Sequence, residues 1–205
     1  VNDAKALTIA DGKPAVLKVD GKHLPVAKQK SALGYVKASK EGNNMRTFTA
    51  EKTSGGTSWG AVYAQWMQPV EDVKSATAGM TVERMFFKDG KRLSSLDHLK
   101  VGDRLTVRIV ITADRDYDFV QVADHRAACM EPTSQLSGYR NGCYVATKDN
   151  ASYFYFDVLS KGRHTVEMTY YIDRAGSYRT GLCTAQCAYS PEFAGRDKSW
   201  EVKSE

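Results

Sequence analysis

A chain of 205 residues suits one domain of generous size or two modest ones, and 42% hydrophobic with 26% charged residues is the balance of a folded globular protein. No run approaches the roughly 18–20 apolar residues of a membrane span. The net charge of +5 comes from 29 basic and 24 acidic residues whose signs are interspersed, as in KDGKRLSSLDHLKVGDR, so the clustered footprint of a nucleic-acid binder is missing. Neither nucleic acid nor a membrane surface is expected as a partner of this segment.

The opening VNDAKALTIADGK lacks the apolar core of a signal peptide. If the protein is exported, the sequence is expected to be a mature form or a piece of something longer. Short strands are predicted around Ala6–Ile9, Ala15–Val19, Met45–Lys52 and Trp59–Met67. Asp11-Gly12, Asp20-Gly21 and Asp89-Gly90 mark turns. PVEDVKSATAG, Pro69–Gly79, is polar and aperiodic and reads as a break. The best helix candidate, Ser94–Lys100, is short and runs into a Gly-Asp turn.

Period-2 patterning dominates the remainder. Leu105, Val107, Ile109 and Ile111 alternate with Thr106, Arg108, Val110 and Thr112, and Val166, Met168, Tyr170 and Ile172 repeat the pattern. Tyr153–Phe156 is aromatic throughout, as a strand buried on both faces would be. Asp173–Gly176 is predicted to be a hairpin turn joining Thr165–Ile172 to a strand over Ser177–Tyr189. The expected fold class is all-β with two sandwich-like units. Residues 1–70 are too few for an independent core and form part of a β-domain. Residues 71–205, with about seven strands, form a complete antiparallel sandwich.

Four cysteines, an even set, fit an oxidising compartment. Cys183 and Cys187 fall on one face of a strand, roughly 13 Å apart, whereas a disulfide needs Cα atoms within about 7 Å. Each is therefore expected to reach Cys129 or Cys143. The preferred pairing is Cys129–Cys187 with Cys143–Cys183, and the other pairing stays open. The polar loop 130–142 would then be tied at both ends to the closing strand. Free buried thiols are the main alternative to disulfides; a metal or redox site fits the spacing poorly, because Cys-x-x-x-Cys on a strand lacks the turn of a zinc knuckle and the helix start of a redox motif.

No nucleophile elbow, phosphate loop, His-Glu-x-x-His or EF-hand pattern is present, and the histidines at 23, 98, 125 and 164 are scattered. Asp114, Asp116 and Asp118 lack the Gly and distal Glu of a calcium loop. No enzyme and no cofactor is expected. Trp59, Tyr63 and Met67 would share a strand face opposite Trp66, the basis of an alternative reading as a carbohydrate-binding or adhesin module. Tyr139, in the loop before Cys143, is the better candidate for outward recognition, since loops on rigid scaffolds carry function.

The run GDRLTVRIVITADRDYDFVQVADHRAACMEPTSQLSGYR, then SYFYFDVLSKGRHTVEMTYYIDRAGSYRTG, then QCAYSPEF, resembles the last domain of bacterial alpha-2-macroglobulin-family proteins, particularly the long versions of Bacteroidetes-type bacteria. SWGAVYAQWMQPVEDV is similar to the strand leaving their CUB-like β-domain. The resemblance implies that 1–70 is the end of a CUB-like domain and 71–205 the C-terminal macroglobulin-like domain. Such proteins are large and exported, often lipid-anchored in the periplasm or at the cell surface. They are thought to trap proteases after a bait segment is cut, some through a Cys-x-Glu-Gln thioester. This chain holds neither the thioester motif nor a bait stretch, so the resemblance implies a non-catalytic scaffold. Its partners would be the upstream helical thioester-type domain and, through the whole protein, target proteases. In some members a tyrosine of the final domain shields the thioester, which makes Tyr139 and its neighbour Arg140 the candidate inter-domain contact.

Overall fold

The computed structural model describes residues 15–24, 39–42, 45–53 and 60–205. The chain divides into two compact units, Val1–Gln65 and Trp66–Glu205. The predicted strand at Ala6–Ile9 and the turn at Asp11-Gly12 lie outside the described residues, as does Trp59.

In the first unit, β1 (Val16–Val19), β2 (Lys22–His23) and β3 (Phe48–Glu51) form an antiparallel sheet in the order β2-β1-β3. Asp20 and Gly21 both take positive φ, 48° and 75°, and join β1 to β2 in a two-residue hairpin, as the Asp-Gly pair predicts. The Asp20 carboxylate then accepts from the Arg46 and Thr47 amides at 3.0 and 2.9 Å, which fixes the entry to β3. The expected strand over Trp59–Met67 does not form at residues 60–67. Tyr63, Trp66 and Met67 are all exposed, so the face alternation on which a sugar platform depended is not there.

The second unit carries β4 (Ala76–Ala78), β5 (Met80–Lys88), β6 (Lys91–Leu93), β7 (Arg104–Ala113), β8 (Tyr117–His125), β9 (Met130–Pro132), β10 (Gly138–Arg140), β11 (Cys143–Thr147), β12 (Ala151–Leu159), β13 (Gly162–Ile172), β14 (Gly176–Arg179), β15 (Cys183–Cys187), β16 (Ala194–Asp197) and β17 (Glu201–Ser204). A single 3₁₀ turn, Val70–Asp72, precedes them, and Ser94–Lys100 is not helical. A seven-stranded sheet in the order β10-β11-β12-β8-β15-β16-β4 packs on a five-stranded sheet in the order β6-β5-β7-β13-β9. All strand pairings are antiparallel. The protein is all-β.

Alternation places the core. Leu105, Val107, Ile109 and Ile111 of β7 and Val166, Met168, Tyr170 and Ile172 of β13 point inward, against Val120, Val122, Phe154 and Phe156 of the facing sheet. Tyr153–Phe156 is not buried on both faces: Phe154 and Phe156 fill the core, while Tyr153 and Tyr155 face out. Asp89 and Gly90, with φ 49° and 75°, close the β5–β6 hairpin as expected.

The segment after Ile172 departs from the predicted hairpin. β14 pairs with β17 rather than with β13, and β13 is flanked by β7 and β9. Ser177–Tyr189 is two strands, because Thr180–Leu182 carries the chain from the two-stranded β14-β17 sheet into the seven-stranded one. The loop 130–142 is also structured. Its first residues pair with β13 and its last with β11, so it passes from one sheet to the other.

Candidate functional site

The β10–β11 hairpin presents the two predicted contact residues. Asn141 and Gly142, at φ 52° and 81°, make a two-residue turn between paired Arg140 and Cys143. Asn-Gly is the strongest short hairpin signal, and it is the mark by which β10 and β11 could have been found in the sequence. The turn leaves Tyr139 on an edge strand, 74% exposed, with its ring edge-on to Tyr144 at 5.2 Å. Arg140 is exposed, and its Nη2 donates to the Leu136 carbonyl at 2.5 Å. Leu136 is itself 79% exposed, so the hairpin carries an apolar and aromatic tip beside one cation.

Tyrosines continue inward from this edge across the outer face of the sheet. Tyr144 pairs across strands with Tyr155, ring centroids 6.5 Å apart, and Tyr155 stacks on Tyr153 at 6.2 Å. Such aromatic neighbours add packing to each other while their hydroxyls remain free to reach a partner.

The expected crosslinks are not formed: Cys129, Cys143, Cys183 and Cys187 are four free, buried thiols. Cys183 and Cys187 do share the inner face of β15, as their spacing requires. Either allowed pairing needs Cys143 to reach β15, but β12 and β8 stand between β11 and β15. Three strand spacings amount to roughly 14 Å, twice the reach of a disulfide. Backbone bonds hold the 130–142 segment instead. Asp173 N donates to Cys129 O at 2.9 Å at one end, and β11 pairs with β12 at the other.

Burial pushes the Cys129 and Cys143 thiols up, and pushes Cys183 well up, with the Asp124 carboxylate adding to the last effect. Thiols so placed are protonated and inert. Cys187 Sγ donates to the Asp118 carbonyl at 3.1 Å.

A buried ionic cluster, which patterning did not single out, lies beside Cys183. Asp124, Cys183 and Asp197 are consecutive neighbours across β8, β15 and β16. Arg84 of β5 faces them from the other sheet and is 2% exposed. Its Nη1 donates to Asp124 Oδ1 at 3.0 Å, and its Nη2 to the carbonyls of Gly181 at 2.9 Å and Lys198 at 2.5 Å. Asp197 accepts from the Arg84 amide at 3.0 Å. Burial pushes the Asp124 carboxyl up and Arg84 draws it back down. The cluster ties the two sheets together and is almost wholly buried, with the Asp197 side chain 10% exposed. Its signal in the sequence was a charge at an inward position in Met80, Val82, Arg84, Phe86.

At one end of the sandwich, Phe119 is 51% exposed and held at φ 54°, a strained conformation for a bulky side chain. Its ring meets Tyr189 edge-on at 5.3 Å, above an open cleft of about 350 Å³ that also takes in Arg115, Asp116 and Tyr117. The three aspartates of this region do not converge. Asp114 binds Arg115 and the Tyr117 hydroxyl, whereas Asp116 accepts from the Lys161 amide. Among the described residues no three acidic, histidine or cysteine side chains group as metal ligands. Ser160 and His164 approach to 3.5 Å on an exposed turn, but His164 Nε2 lies closer to the Ser160 carbonyl, at 2.7 Å, which leaves the hydroxyl without a base.

Residues 79–192 match the bacterial alpha-2-macroglobulin MG10 domain. No curated protein matches the chain in sequence. Among solved structures, Salmonella alpha-2-macroglobulin reacted with methylamine is similar over 64% of this chain and 10% of that one, with 18% identity and a TM-score of 0.58. Trypsin-activated alpha-2-macroglobulin from Escherichia coli is similar over 65% and 11%, at 16% identity and a TM-score of 0.57. Native Escherichia coli alpha-2-macroglobulin spanning domain MG7 to the C-terminus is similar over 67% and 25%, at 16% identity and 0.59. The chain thus spans about a tenth of the longer relatives. With more than half of its residues matched, the chain belongs to the bacterial alpha-2-macroglobulin MG10-domain family.

Proposed function

We propose that the chain is a non-catalytic scaffold portion of a protease-trapping macroglobulin, and that the hairpin bearing Tyr139 and Arg140 is its contact with a neighbouring domain of the same polypeptide. The carrying observation is the MG10 match over residues 79–192 combined with an edge hairpin whose aromatic tip is 74% exposed at Tyr139. An exposed aromatic beside an arginine is the composition of interface anchors. In this reading the neighbour is the helical thioester-type domain, the Bacteroidetes-type long form is the parent, and residues 1–70 end its CUB-like domain. An exported, periplasmic or cell-surface location, with a lipid anchor elsewhere in the parent, belongs to the same proposal.

The test uses the full-length polypeptide. Wild type incubated with trypsin is expected to shield the protease from a large protein substrate while a small peptide is still cleaved. The Tyr139→Ala/Arg140→Ala variant is expected to keep the melting temperature of the 205-residue chain. In the full-length protein it should open the domain junction to limited proteolysis. Equal cleavage of variant and wild type there would overturn the contact, and failure to shield trypsin would overturn the trap.

A further inference from the structure

Strand alternation fails at one place in the seven-stranded sheet. On β8, Tyr117, Val120 and Val122 point inward, while the consecutive residues Asp118 and Phe119 both stand outside. Their neighbours on β12 do the same. Asp157 and Val158 are exposed between buried Phe156 and Leu159, with Phe156 opposite Val120 and Val158 opposite Asp118. Regular alternation from Tyr117 would bury Phe119; a φ of 54° turns it out, to 51% exposure. That backbone is unfavourable for a bulky side chain and persists only where its surroundings impose it, as they do at binding sites. Here the Phe119 carbonyl accepts from the Ala188 amide at 2.9 Å, and the Asp118 carbonyl from the Cys187 thiol at 3.1 Å.

What the break exposes is the wall of a cleft. The Phe119 and Tyr189 rings meet at 90° with centroids 5.3 Å apart, and Tyr189 is 80% exposed. The two rings make an open aromatic corner in the cleft of about 350 Å³, which Asp116 and Asp118 also line. Among the described residues nothing donates to the Asp118 carboxylate or pairs with it. Asp116 accepts from the Lys161 amide at 2.6 Å. Arg115, the one basic residue lining the cleft, is already engaged. Its Nε and Nη2 donate to Asp114 at 3.1 and 3.3 Å, and its guanidinium sits 5.3 Å over the Phe193 ring.

We propose that this cleft binds a small free amine in its ammonium form, with the charge against the Phe119 and Tyr189 rings and beside Asp118, and a short carbon chain along the ring faces. An aromatic face attracts an ammonium group through its quadrupole, more strongly as water is excluded. The unpaired carboxylate adds longer-range attraction and turns anions away. The aspartates of the cleft do not converge, which suits a diffuse organic cation and not a metal ion that gathers several oxygens at one point. Size follows from volume, since about 350 Å³ is at the lower end of small-molecule sites. The proposal stands apart from the scaffold reading, because every group in it belongs to this chain.

Titration of the isotope-labelled 205-residue chain with butylammonium chloride, followed by amide NMR, tests it. The Phe119 and Tyr189 amides are expected to shift saturably, with half-saturation on the order of millimolar, while Tyr171 on the five-stranded sheet does not move. Butanol, the same chain without the charge, and butyrate, with the opposite charge, should bind about tenfold more weakly. Tyr189→Ala, at an 80% exposed position, should weaken butylammonium about tenfold and leave the melting temperature unchanged. Phe119→Asn probes the strain. Asparagine accepts this φ, so the variant should melt no lower than wild type and still lose binding about tenfold. Equal shifts with butanol and butylammonium would overturn the cation, and no saturation below about 50 mM would overturn the site. A Phe119→Asn chain that melts lower yet still binds would make the exposed ring a packing feature, against the proposal. Tighter binding of N-acetyl-lysine amide than of butylammonium would assign the cleft to a lysine of another protein, equally against it.

Discussion

Arg84 Nη1 lies 3.0 Å from Asp124 Oδ1 across the gap between the two sheets, and both side chains are at most 2% exposed. The pair joins β5 to β8, while Asp197 binds the Arg84 backbone from β16. A buried ion pair adds little net stability over an apolar filling, but removing one partner abandons the other in a low dielectric. Arg84→Met is therefore expected to cost about 3–5 kcal/mol at neutral pH. The loss should shrink in acid as the orphaned Asp124, whose carboxyl burial already pushes up, takes up a proton. Urea denaturation at pH 7 and pH 4.5 measures it. A loss below about 1 kcal/mol at pH 7 would mean water reaches the cluster.

Alkali should weaken the fold in two stages. Burial raises the thiols of Cys129, Cys143 and Cys183 in the folded state, whereas unfolded thiols ionise near about 8.5. A group raised on folding contributes its full stability below the unfolded pKa and loses it as pH climbs toward the folded one. Stability is thus expected to be flat near neutrality and to fall above pH ~8.5, by up to about 1.4 kcal/mol per pH unit for each thiol. The Tyr170 phenol, pushed up by burial and hydrogen-bonded to Ser152 at 2.9 Å, adds its own decline above pH ~10. Urea midpoints from pH 7 to 10.5 under nitrogen should show both breaks, and Cys183→Ala should soften the first.

Thiol counting separates this architecture from a crosslinked one. All four cysteines are buried, Cys187 least so at 6% exposure against 0–1% for the others. In native protein prepared without reductant, an aromatic disulfide reagent is expected to label Cys187 first and the rest only as fast as the sandwich opens. Unfolding should release all four thiols at once. A count of two would show that one crosslink forms, and a count of none that Cys143 of β11 reaches a partner as well.

Strand character was plain in the sequence wherever one face is apolar and the other polar. Leu105–Ile111 and Val166–Ile172 lie where their period places them, and Asp20-Gly21 and Asp89-Gly90 turn as that dipeptide must. What period cannot encode is the partner of each strand. Asp173–Gly176 has the residues of a hairpin, yet β14 pairs with β17, and at the turn the Tyr178 ring lies over Gly176 with its hydroxyl on the Ala175 carbonyl at 2.8 Å. The same gap undid the cysteines. Their faces were legible from spacing, but the insertion of β12 and β8 between β11 and β15 is a property of topology. At the candidate site Tyr139 was found as an outward residue, while its continuation through Tyr144 and Tyr155 depends on cross-strand register and so was invisible.

At Gly195 the backbone of β16 comes close to β5 of the facing sheet, and its substitution probes whether that approach is needed. A Cβ there would sit 2.2 Å from the Met80 carbonyl oxygen and 3.2 Å from a Val82 methyl. The first obstacle is backbone of β5, which cannot rotate aside as a side chain would, so β16 or β5 must shift. Such a shift would also draw Asp197 away from the Arg84 amide it binds at 3.0 Å. Gly195→Ala is expected to cost about 1–3 kcal/mol, the range of overpacking in a filled core. Gly60→Ala, with nothing within 4 Å of the new methyl, serves as the neutral control. Urea midpoints for the two variants decide the matter. If Gly195→Ala fell within about 0.5 kcal/mol of the control, the corner between β5 and β16 would be free to open, and the Arg84 cluster would be holding the sheets together without the close backbone contact beside it.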